Sequence, residues 1–109
     1  MGYDINHIKG NTLEKIDFEC KVNQLPLDLT NATIEMKLYK NPFNGESPTL
    51  SMTSVGNDGI TITDALLGKF KINDQVINIE PYLYSYNIKM TLQNGEVKTY
   101  ISGFFNVTL

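Results

Sequence analysis

The sequence predicts an all-β protein, an antiparallel β-sandwich of about seven to nine strands. Three observations predict it. Apolar and polar residues alternate through nearly the whole chain, which is the period of a strand half-buried in a sheet. Turn-forming pairs (Asp58-Gly59, Leu67-Gly68 and Asn94-Gly95) punctuate the alternating runs. No stretch carries the 3.6-residue period of an amphipathic helix. The 109 residues match the size of one ordinary domain, and no linker, repeat or low-complexity tract divides them. The expectation is a single domain over residues 1–109.

The elements follow in order. His7 falls in a short amino-terminal strand. Ile16, Phe18, Cys20 and Val22 then alternate with Lys15, Asp17, Glu19 and Lys21, giving a strand with one buried and one charged face. In Leu25-Pro26-Leu27-Asp28-Leu29-Thr30, Pro26 cannot donate to a ladder and belongs at an edge or a strand start. Ile34, Met36 and Leu38 alternate with Thr33, Glu35 and Lys37 in the next strand. Residues Asn41 to Pro48, rich in Asn, Gly and Pro, form the clearest loop and the expected most mobile segment. Short strands follow at Leu50 to Thr53, Ile60 to Thr63 and Lys69 to Ile72.

The carboxy-terminal third carries the strongest pattern. Tyr82, Tyr84, Tyr86, Ile88, Met90 and Leu92 hold every even position of one strand, and their shared parity makes core packing the better use of the tyrosines than a sugar platform. Asn94 and Gly95 suit the two central positions of a type I′ turn. That turn places Leu92 opposite Val97, Met90 opposite Thr99, Ile88 opposite Ile101, Tyr86 opposite Gly103 and Tyr84 opposite Phe105. A tyrosine ring opposite a glycine can cover its bare backbone. The same register sets Lys89 across from Tyr100, and Ser85 from Phe104. Both aromatics then stand on the face where alternation calls for polar residues. Either a neighbouring loop or the amino-terminal strand covers them, or they belong to a partner surface.

Composition narrows the function classes. Net charge is −3, all nine basic residues are lysine, and no arginine supplies a bidentate phosphate fork, so no nucleic-acid partner is expected. One cysteine, Cys20, excludes an internal disulfide and a thiolate metal cage, and a single free thiol suits a reducing cytosol. The amino terminus has no basic start followed by an apolar run, and no stretch approaches a membrane span, so neither a secretory signal nor a membrane partner is expected. Two glycosylation sequons, at Asn31 and Asn106, are what chance gives at this asparagine and Ser/Thr content.

Catalytic chemistry finds little support. A Cys20–His7 dyad would make a small hydrolase but has no third orienting group in its sequence context. Asp17 and Glu19 share a strand face with Lys15 and Lys21, which reads as a solvated surface. Asn57, Asp58 and Asp64 could offer oxygens to calcium, but Asp58-Gly59 already has a turn role and the spacing matches no calcium loop. No phosphate-cradling glycine loop is present. No catalytic residue, cofactor or metal is assigned.

Several segments, in order, resemble the small immunoglobulin-like β domains of tailed-phage and prophage structural proteins. They are similar in kind to the amino-terminal domain of phage baseplate upper proteins. The segments are Ile8-Lys9-Gly10-Asn11-Thr12, the run Pro26-Leu27-Asp28-Leu29-Thr30-Asn31-Ala32-Thr33-Ile34, Gly68-Lys69-Phe70-Lys71-Ile72, Tyr84-Ser85-Tyr86-Asn87-Ile88, and Gly103-Phe104-Phe105-Asn106-Val107. The likeness spans residues 8 to 107, and the run from Pro26 to Thr33 is its most specific part. Asn31 stands where the family has glycine, a mild change because asparagine tolerates the left-handed region. Asp28 and Thr30 are read as turn-makers bonded to nearby backbone.

The resemblance implies an immunoglobulin-like sandwich and a non-enzymatic role in a virion made in the bacterial host cytoplasm. The expected role is a tail or baseplate adaptor, or a capsid-attached decoration subunit. Its partners would be other virion proteins, in a homo-oligomer or multi-copy assembly. The expected partner surface comprises Lys89, Tyr100, Phe104, Val107 and Leu109, with the terminal strand Asn106 to Leu109 adding to a neighbouring sheet. The rival is a carbohydrate- or receptor-binding module of an adhesion apparatus. It would need exposed aromatics, for which Tyr39, Tyr100 and Phe104 are the candidates.

Overall fold

A computed structural model describes residues 3–42 and 45–109. Part of the Asn41 to Pro48 loop, residues 43 and 44, lies outside the described residues. The chain is all-β and divides into several sheets, one of them curled into a half-barrel. Among the described residues the only helical pieces are two short 3-10 turns, Val55–Asn57 and Ala65–Leu67.

The described residues form twelve strands in chain order: β1 (Ile5–Ile8), β2 (Thr12–Leu13), β3 (Ile16–Glu19), β4 (Lys21–Val22), β5 (Leu25–Pro26), β6 (Thr33–Lys40), β7 (Leu50–Thr53), β8 (Ile60–Asp64), β9 (Lys69–Ile72), β10 (Gln75–Val76), β11 (Tyr82–Thr91) and β12 (Val97–Thr108). The largest sheet has the order β1-β12-β11-β6-β7, and a second has the order β3-β9-β8. Two small ribbons, β10-β2 and β4-β5, complete the set. Every pairing is antiparallel except that of β1 with β12, which joins the first and last strands in parallel.

Alternation translates directly into the core. Ile34, Met36 and Leu38 from β6, and Ile88 and Met90 from β11, are fully buried, as are Phe70 and Ile72 of the second sheet. They belong to one contiguous hydrophobic cluster. Tyr84 is buried too, and its hydroxyl donates to the Glu80 carbonyl at 2.7 Å, so its polar end is paired close to its own strand. Before β6 the chain turns as its residues suggest. Thr30 donates from its backbone N–H (2.9 Å) and its hydroxyl (2.6 Å) to Asp28 Oδ1, and Asn31 takes φ 59°. Those two bonds, the hydroxyl one foremost, hold the Asp28 carboxyl below its usual pKa.

Three expectations are corrected. The run from Ile16 to Val22 does not continue as one strand: it breaks at Cys20, where β3 leaves its pairing with β9, and β4 then turns back on β5 through Asn23 and Gln24, both at positive φ, with Val22 and Leu25 exposed. The β11–β12 hairpin closes with three loop residues instead of two. Leu92 N–H donates to the Glu96 carbonyl and Gly95 N–H to the Leu92 carbonyl, both at 2.8 Å, with Gly95 at φ 88°. This is a type I turn completed by a left-handed glycine. The register therefore slips by one near the tip, setting Met90 opposite Lys98 and Lys89 opposite Thr99. It recovers at Ile88 and Ile101, and Tyr100 is the extra residue of the resulting bulge.

The third correction concerns the terminal strand. Over residues 105–107 both edges of β12 are occupied, by β11 on one side and β1 on the other, so strand addition through this terminal stretch has no free edge.

Candidate functional site

The five-stranded sheet has an outward face that alternation fills with short polar and charged side chains. Three strands in register bring nine outward residues, two of them aromatic, into a grid. Tyr39, Ser85 and Phe104 form one row, and Lys37, Asn87 and Ser102 the next. Glu35, Lys89 and Thr99 form the third, the last joining only because of the register slip. Strand spacing and rise make this grid about 10 Å across and about 14 Å along.

Phe104 is 44% exposed on this face, while its backbone N–H is held by Asp4 Oδ1 at 2.9 Å. Leu83 is also exposed, diagonal to Phe104 across the β11–β12 ladder. Between the rows lies a recess of about 70 Å³ lined by Glu35, Lys37, Tyr39, Asn87 and Lys89. The side chains of Glu35, Lys37, Asn87 and Lys89 make no hydrogen bond or ion pair with any described residue, and all but Lys89 are half-buried.

Larger hollows open elsewhere, but their chemistry is already satisfied internally. The one beside Gln93 and Asn94, about 320 Å³, contains Asp28, whose carboxylate is bonded by Thr30. A second of about 340 Å³ contains Glu19, paired with Lys21 at 3.0 Å and Lys69 at 3.8 Å. A third of about 410 Å³ contains His7, whose Nε2 lies 2.9 Å from the Asn11 carbonyl. The small recess is therefore the better candidate.

The five expected surface residues do not come together. Lys89 and Phe104 share the outward face. Tyr100 does not join them, because the bulge carries its ring inward, edge-on to Phe18 at 6.3 Å and Phe70 at 5.9 Å. Its hydroxyl donates to the Glu19 carbonyl at 3.0 Å, and burial foremost raises its pKa. Val107 is 2% exposed and belongs to the core, since it shares the parity of Phe105. Leu109 lies past the end of β12, 91% exposed. Tyr39, Lys37 and Asn87 were missed as a group. The signal available was their common parity on neighbouring strands, which becomes visible only when the β6–β11 register is known.

Cys20 and His7 do not meet. Cys20 is buried, its N–H bonded to the Gly68 carbonyl at 2.8 Å, and burial raises its thiol pKa against a lowering by Lys98. Among the described residues no group of three or more His, Cys, Asp or Glu side chains could hold a metal ion. None of their helices is long and apolar enough to cross a membrane. The sequence matches no model of a known protein family and no curated protein.

Proposed function

We propose that this chain is a non-enzymatic structural protein of a virion. It acts as an adaptor or decoration subunit with an immunoglobulin-like β-sandwich fold, and it docks other virion proteins through the outward face of its five-stranded sheet. The fold reading is supported by the strand orders β1-β12-β11-β6-β7 and β3-β9-β8, and by the parallel pairing of the first and last strands. Tyr84, bonded to a backbone carbonyl four residues upstream near the start of its strand, supports it as the tyrosine corner of such sandwiches. The virion reading rests on the family resemblance of residues 8 to 107.

The observation that carries the docking role is the outward face itself, where Phe104 and Leu83 stay exposed and Lys89 stands two rows further along the same face. Exposed aromatics on such a face are what interfaces use. In many copies, a weak contact of this size becomes firm through multivalency.

Mass spectrometry of purified particles from the source tests this. A fixed stoichiometry to the major capsid protein is expected, and Phe104→Ala is expected to lower incorporation of the chain. Absence from intact particles overturns the virion role.

A second reading, saccharide binding by an adhesion apparatus, is favoured by one observation. Tyr39 and Phe104 flank Ser85 in a single row, two aromatics with a small polar residue between them. Substituting both by alanine separates the readings. Loss of glycan binding with assembly intact supports the second, and loss of assembly in a chain that binds no glycan supports the first.

A further inference from the structure

We infer that the recess on the outward face is a binding site for a carboxylate-bearing sugar of the uronic-acid type, an inference that rests on the saccharide reading of that face. Its chemistry is a matched set. Lys37 and Lys89 bring two ammonium groups to its walls, and neither is paired with an acid among the described residues. Asn87, between them on β11, offers an amide N–H donor. Unpaired, half-buried polar groups forgo part of their hydration without an internal bond in return, so a ligand that supplies the partner recovers that loss.

Glu35 decides the class of ligand. Its carboxylate lines the same recess, opposite Lys89 in the ladder. A bare anion such as phosphate would gain from the lysines but be repelled by Glu35. A uronic acid meets both demands: its carboxylate lies against Lys37 and Lys89, and its ring hydroxyls donate to Glu35 and accept from Asn87. The volume fits one such group, since about 70 Å³ holds roughly two waters or a single carboxylate. Phe104, exposed on the same face one strand beyond Ser85, offers a ring to the next sugar.

The test is an NMR titration of the ¹⁵N-labelled full chain with oligogalacturonate. Neutral oligogalactose of the same length and hexaglutamate serve as parallel probes. Binding of the uronate, read as saturable shifts at the Lys37, Asn87 and Lys89 amides, with little response to the other two, is expected. Lys37→Gln and Lys89→Gln should each weaken it about two- to fivefold, as exposed ion pairs do, with the remaining spectrum unchanged. Equal binding of the neutral sugar overturns the acidic ligand but leaves the saccharide reading standing. Equal binding of hexaglutamate overturns it in favour of an acidic protein segment. Response to none of the three overturns both the inference and the saccharide reading.

Discussion

The hydroxyl of Tyr86 donates to the backbone carbonyl of Tyr3, tying the buried middle of β11 to the segment that leads into β1. The bond passes beside Gly103, the cross-strand partner of Tyr86 on β12. A β-carbon at Gly103 would overlap the Tyr3 carbonyl, so the glycine makes the room through which the tyrosine reaches. Tyr3 N–H adds a bond to the Ser102 carbonyl at 3.2 Å. The first strand is therefore fastened at its start.

Removing the hydroxyl should loosen that fastening without disturbing the core. Tyr86→Phe is expected to cost about 1–2 kcal/mol, the cost of leaving a partly buried carbonyl unpaired. Urea unfolding measures it, and an unchanged midpoint would show that the bond adds nothing.

Gly103→Ala attacks the same place from the other side. Overpacking of this kind costs roughly 1–3 kcal/mol, and the strain should be relieved by moving β1 away from β12. Amide hydrogen exchange at β1 should then accelerate far more than exchange in β6 or β11. Equal protection of β1 in both proteins would refute the close approach.

Alkaline pH should destabilise the fold. Burial, with smaller contributions from Asp4 and Tyr3, pushes the Tyr86 pKa up from 10.0 to about 12, and burial also raises those of Tyr84 and Tyr100. The unfolded chain thus releases these protons at lower pH than the folded one and binds fewer of them above pH 10.0, so stability falls as pH rises. The stabilisation is complete below pH 10.0 and is lost toward about 12. Denaturant midpoints across that range should decline, with a shallower slope in Tyr86→Phe.

Two aromatics four residues apart, Tyr100 and Phe104, should respond unequally to truncation. Tyr100→Ala removes a ring packed against Phe18 and Phe70 and is expected to cost about 2–3 kcal/mol. Phe104→Ala, on the exposed face, should stay within about 0.5 kcal/mol. Similar losses for both would contradict the inward turn of Tyr100.

The buried thiol offers a further check. Cys20 is 4% exposed with a raised pKa, so a thiol-reactive probe at neutral pH should label it only on unfolding. Prompt labelling of the folded chain would revive the hydrolase reading of this residue.

The strands were legible in the sequence because a period of two leaves few alternatives when one face is buried. Leu50 to Thr53 and Lys69 to Ile72 match their observed bounds. The register near the β11–β12 tip was not legible, because Asn94-Gly95 serves a two-residue turn and a three-residue turn equally well. The slip to three residues turns Tyr100 toward Phe18 and Phe70, contacts distant in sequence that no local pattern encodes. The Asn23–Gln24 reversal lacks the glycine that usually announces such a turn. The grid on the outward face was half legible: parity identified Phe104, but only pairing with β6 brings Tyr39 and Lys37 beside it.

The parallel pairing of β1 with β12 also decides how the domain bears a mechanical load. Because the two strands run in the same direction, the Tyr3 end and the Leu109 end leave the pair at opposite extremes. Tension between the ends slides β1 along β12, straining the bonds from Tyr3 to Lys9 together instead of opening them one by one. Force on this domain is met first by that short seam, which must fail as a unit before the core is pulled upon.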